Sequence, residues 1–125
     1  MSKEIIYIFI GGGLGRVLRY FVQLGMHERI VPYHFPWATL TVNLLGSFLI
    51  GLFYALSERF HLSAEVRLML TTGLCGGFTT FSTFSNDGIA LLKGEYYGTF
   101  ALYFFISMAM GLTAAFAGGY AGKPL

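Results

Sequence analysis

The chain has little charge. Only 11% of its 125 residues are charged and 55% are hydrophobic, whereas soluble domains run about 25% charged. Mean hydropathy is +0.65. These values exclude an ordinary soluble domain and indicate an integral membrane protein. The net charge of +2 is small and scattered, which argues against a nucleic-acid partner. Cysteine is nearly missing. The single one, Cys75, excludes an intramolecular disulfide and any zinc site built on cysteines. Carboxylates are few, and Glu4, Glu28, Glu58, Glu65, Asp87 and Glu95 all fall near expected span ends or in loops. A proton-coupled exporter needs a membrane-buried carboxylate, and a membrane enzyme needs a general base at depth, so neither is expected. No separate soluble domain fits the length. No cleavable leader is expected either. The first apolar run starts at Ile5 with one lysine before it and no small-residue cleavage site after it.

What is present is a single transmembrane domain of four apolar spans, about 5–24, 37–57, 64–92 and 96–120. At 1.5 Å per residue the third would reach about 40 Å, more than the roughly 30 Å hydrocarbon core. Its centre, residues 73–85, reads GLCGGFTTFSTFS. Gly73, Gly76 and Gly77 each weaken a helix by about 1 kcal/mol relative to alanine. Broken backbone at membrane depth is tolerated only where it is buried in protein or lines a wet cavity. The stretch therefore reads as an interrupted transmembrane helix at a functional site. Past Gly77, Phe81 and Phe84 share a helical face among the hydroxyls of Thr79, Thr80, Ser82, Thr83 and Ser85. An aromatic stripe is ordinarily packing. Here, positive ring edges beside hydroxyls also make a weakly positive lining with no fixed cation, which suits fast anion passage. Asn86 and Asp87 read as the polar end of the stretch.

The other spans carry polar faces. In span one, Arg16 and Arg19 follow a run of Gly11, Gly12, Gly13 and Gly15. Both either snorkel to the interface or, for Arg19 above all, line an aqueous vestibule that attracts anions. The run lacks the final glycine of a dinucleotide fingerprint and has no βαβ surroundings. In span two, Thr39, Asn43, Gly46, Ser47 and Ile50 share a face. Asn43 is either glue between helices or an amide donor aimed at an anion. In span four, Thr99, Tyr103, Ser107, Gly111, Ala115 and Gly118 form a polar-then-small stripe. It is either a tight helix seam or a ladder of hydroxyls led by Tyr103 and Ser107. His27, His34 and His61 lie in loops and read as surface residues. Four short spans leave one copy little interior, so a polar path calls for a partner copy. If the spans alternate, Lys3, Arg59, Arg67 and Lys123 face one side, and Arg29, Lys93 and a terminal Arg19 the other. The bias is too small for the positive-inside rule to choose an orientation. A chain inserting both ways would be able to pair antiparallel with itself.

These residues resemble the Fluc/CrcB family of fluoride channels. The likeness lies in the glycine-rich first span ending in Arg19-Tyr20, in the run from Thr41 to Gly46 (TVNLLG), and in the run from Thr72 to Ser85 (TGLCGGFTTFSTFS). It covers essentially the whole chain. The resemblance implies an all-α integral membrane protein of four transmembrane helices with a break in the third. It implies an antiparallel, dual-topology homodimer with two fluoride pores in the cell inner membrane. The implied activity is passive fluoride export that lowers cytoplasmic fluoride, by a channel and not an enzyme. By motif, Asn43 would be the pore asparagine and Phe81 and Phe84 the aromatic pair on the fluoride path. Ser82, Thr83, Tyr103 and Ser107 would lie on or beside the polar track, with Gly111 where another polar residue is expected. Gly76 and Thr79 would hold a structural sodium at the dimer centre through their backbone carbonyls. The alternatives are a small dual-topology proton-coupled multidrug exporter and a membrane assembly subunit without transport of its own.

Overall fold

The structure is a computed structural model and describes residues 2–26 and 35–122. His27, Glu28, Arg29, Pro32, His34 and Lys123 lie outside the described residues, and so do the loop and orientation readings that rest on them. The regular structure of the described residues is helical, with no strand among them. In chain order they form α1 (Ser2–Met26), α2 (Trp37–Arg59), α3 (Ala64–Leu68), a π-helical stretch (Met69–Cys75), α4 (Gly76–Phe78), α5 (Phe81–Lys93) and α6 (Tyr97–Ala121). Among the described residues, three helices are long and apolar enough to cross a membrane: Ser2–Gly25, Trp37–Arg59 and Tyr97–Ala121.

Local chemistry sets several of the ends. Pro36, which lacks an N–H, stands just before α2. Ser63 caps α3 by accepting from the Val66 N–H at 3.3 Å. Leu68, Met69, Cys75 and Gly76 all keep right-handed helical dihedrals, so 64–78 is one continuous helical rod with a wider middle. Within it, the Thr71 hydroxyl donates to the Arg67 carbonyl at 2.7 Å, a bond that competes with the regular backbone ladder.

Two closely packed helix pairs frame the described residues, and α5 packs on α6. α1 lies along the 64–78 rod, running the same way. A side chain at Gly15 would strike the Leu74 carbonyl and one at Gly77 would strike Gly12, so both backbones touch. α2 and α6 run parallel in the same manner, with Gly51 against Ala115 and Gly118 against Phe48. Such contact takes van der Waals packing from the backbones themselves, the usual means of pairing helices in lipid. One core cluster joins Phe35, Leu40, Leu91 and Tyr103, backed by Leu44, Phe84, Phe100 and Ile106, while Val42, Cys75 and Phe78 are buried elsewhere. Elsewhere large apolar side chains face outward, among them Phe9, Phe105, Leu112 and Phe116. In water that surface would be untenable; a bilayer or another copy of the chain accommodates it.

Candidate functional site at the Thr79–Thr80 kink

The residues that leave the helix are not the glycines. Gly73 and Gly77 are helical and buried, Gly76 is helical and exposed, and Gly73 and Gly77 pack against α1. Thr79 (φ −82°, ψ 161°) and Thr80 (φ −151°, ψ 118°) are extended. Of the expected break from Gly76 to Thr79, Gly76 stays helical and Thr79 is extended, with Thr80 extended beyond it. Gly73 and Gly77 serve close packing. The Thr79 N–H and hydroxyl both donate back to the Cys75 carbonyl, at 3.0 and 2.9 Å.

One side chain holds the extended backbone. Asn43 accepts from the Thr80 N–H at 2.8 Å and donates through Nδ2 to the Thr80 carbonyl at 3.1 Å. In a continued helix that N–H would bond the Gly76 carbonyl. Its diversion to Asn43 leaves the Gly76 oxygen without its helical donor. Thr80 also caps α5, its hydroxyl accepting from the Thr83 N–H at 3.2 Å and donating to the Thr83 hydroxyl at 3.1 Å, with the Ser82 hydroxyl 3.4 Å away. The kink lies level with Gly46, midway along α2, because Gly46 leaves the space that the Thr79 methyl fills.

Beside the kink is a groove of about 340 Å³. Asn43, Ser47, Gly76, Thr79, Phe81, Phe84 and Ser107 are among its lining residues, none of which is charged. The N-terminus of α5 abuts it. A helix N-terminus carries a partial positive charge, which stabilises anions. Phe81 is 78% exposed and its ring lies 5.9 Å from that of Phe84. Phe84 in turn packs against Tyr103 at 5.0 Å.

Not every expected site residue reaches the groove. Ser82 and Thr83 belong to the hydroxyl cap around Thr80. Tyr103 is buried, packed edge-on to Phe35 at 5.5 Å, with its hydroxyl donating to Asp87 at 3.4 Å. Its ring fills the core, which takes it off the groove wall. Arg19 is half-buried and not merely turned to water, because its Nη1 donates to the Thr79 carbonyl at 3.2 Å. Arg16 is exposed.

Asp87 is a correction. It is no polar end: it sits in the middle of the 13-residue α5, half-buried, and accepts from the Thr39 hydroxyl at 2.7 Å as well as from Tyr103. Thr39 is thereby turned to Asp87, and the shared face of α2 at the groove is Asn43, Gly46, Ser47 and Ile50. The signal for this junction was Thr39 at an otherwise apolar start of α2, but its partner lies 48 residues away.

Comparison with known proteins adds to this geometry. A family model described as CrcB-like protein, Camphor Resistance (CrcB), matches residues 6–119. A protein of Bacteroides fragilis named fluoride-specific ion channel FluC is 60% identical over 123 residues, 97% of each chain. A protein of the same name from Phocaeicola vulgatus is 47% identical over 93% of this chain and 95% of its own. One from Leptospira interrogans is 46% identical over 94% and 92%. With a family model spanning nearly the whole length and relatives at this identity, the chain belongs to the CrcB family.

Proposed function

We propose that the chain is a fluoride-specific ion channel that lets fluoride leave the cell down its gradient and so lowers cytoplasmic fluoride. The identity to curated fluoride channels over nearly the full length supports the ion. One structural observation supports the mechanism: the uncharged groove meets a helix N-terminus, an amide and a pair of aromatic rings about midway along α2. Partial positive charges from N–H groups, the free N–H of Asn43, the Ser107 hydroxyl and the ring edges of Phe81 and Phe84 replace part of the ion's water shell. None is a full charge, so the ion is admitted without being trapped. Ser82 and Thr83 support the path through the Thr80 cap, and Tyr103 supports it through Phe84. In this reading the Thr79–Thr80 kink is an interruption of a third membrane-crossing helix, α3 to α5, which makes four crossings with α1, α2 and α6.

The groove is open on one side in a single copy. We read the working unit as an antiparallel, dual-topology homodimer in the cell inner membrane, in which a second copy closes the groove over Phe81. A structural sodium at the seam is part of the same reading. The chemistry of the donor set fits: Gly76 is exposed and its carbonyl has lost its helical donor, and hard cations take neutral oxygen ligands. Gly76 and Thr79 would hold the ion through their carbonyls, and it would supply a positive charge that ties the two copies together.

A small proton-coupled exporter is the competing reading, and Asp87 is the half-buried carboxylate that it would use. Reconstituted liposomes separate the two. The channel reading predicts fluoride efflux that needs a potassium carrier to balance charge and runs without any proton gradient. Efflux that stops when the proton gradient is removed would assign Asp87 the exporter role instead.

A further inference from the structure

We propose that Arg19 and the sodium ion compete for one oxygen, the Thr79 carbonyl, so that Arg19 sets how tightly this chain binds sodium. The inference rests on the sodium reading above. Its observation is separate: Arg19 Nη1 donates to the Thr79 carbonyl at 3.2 Å. α1 enforces the placement. Gly15 seats α1 on the backbone of Leu74 and Phe78, and Arg19 follows one helical turn later, which brings its guanidinium beside the next residue, Thr79. Held there, Arg19 is half-buried. The Thr79 carbonyl is one of two oxygens assigned to the ion, and the Gly76 carbonyl is the other. A carbonyl offers two lone pairs, so both cations are able to reach it. Two like charges on one oxygen, partly withdrawn from water, repel each other far more than they would in solvent. Sodium binding therefore displaces the guanidinium. Once displaced, Arg19 is free to face the approaching anion, which links cation occupancy to anion entry.

Equilibrium dialysis with radioactive sodium, on purified protein at constant ionic strength, tests this. Arg19→Gln removes the charge and should bind sodium about tenfold more tightly than wild type, equivalent to about 1.4 kcal/mol. Arg19→Lys keeps the charge and should stay within about threefold of wild type. Wild-type affinity in Arg19→Gln, or equal tightening in both variants, would overturn the competition. Absence of sodium binding in all three would overturn it together with the sodium assignment. Fluoride efflux from the same preparations reports separately on the channel itself. A measurement on unaltered protein guards against a variant that fails to fold. The Nη nitrogen resonances of Arg19, assigned by comparison with Arg19→Lys, should shift on adding sodium and not on adding a bulky organic cation. An unchanged spectrum contradicts the proposal.

Discussion

At the scale of single residues, Asn43 is the side chain that holds the kink. Its amide satisfies both the N–H and the carbonyl of Thr80, 37 residues away. Unpaired, each of those groups would cost about 1–3 kcal/mol. Asn43→Ala should therefore lower thermal stability and cut fluoride efflux at least about tenfold, an increase of about 1.4 kcal/mol in the barrier. Efflux at the wild-type rate from this variant would remove Asn43 from the path. The two phenylalanines should behave differently. Phe81 is exposed and touches chiefly Phe84, so Phe81→Ile should change single-copy stability by less than about 0.5 kcal/mol while abolishing flux. Phe84 is anchored on Tyr103, so Phe84→Ile should lose flux and about 1–3 kcal/mol of stability together. Thermal unfolding in detergent beside efflux assays checks both. A Phe81→Ile protein that simply unfolds would mean its ring is packing and nothing more.

At the scale of elements, α5 is the piece whose position decides the site, because it carries both aromatic rings. It is held at its start by the Thr80 cap and in its middle by Asp87, bonded to Thr39 of α2 and Tyr103 of α6. Asp87→Leu should loosen that middle and destabilise the protein by about 1–3 kcal/mol. Asp87→Asn, whose side-chain oxygen still accepts from Thr39, should lose much less. Equal losses would mean that charge, not the hydrogen bond, holds α5. The long apolar runs were readable in sequence as helices, since an 18-residue apolar stretch has few other uses. The kink was only half readable. Glycines announced irregularity, but which residues turn depends on Asn43, 37 residues from Thr80, and no local pattern carries that distance. The same limit hid the junction at Asp87: polar residues after an apolar run look like an end until their partners are known. The seam between α2 and α6 was partly legible in the small residues Gly111, Ala115 and Gly118, and Gly118 does meet the α2 backbone.

At the scale of the whole molecule, one copy leaves its groove open and its apolar flanks uncovered, which is the physical ground for expecting two copies. If they insert in opposite senses, a cysteine placed at Lys93 should react with impermeant reagents from both sides of the membrane; the native Cys75 is buried and contributes no background. Labelling from one side alone would contradict antiparallel assembly while leaving the groove chemistry untouched. The central claim is narrower: uncharged donors and ring edges at the Thr79–Thr80 kink pass a small halide. The most direct measurement is a paired efflux assay on reconstituted protein, with fluoride in one set of liposomes, chloride in the other, and a potassium carrier in both. The account predicts rapid release of fluoride with chloride largely retained, and loss of the fluoride signal in Phe81→Ile. Comparable release of the two halides, or undiminished fluoride release from Phe81→Ile, would contradict it.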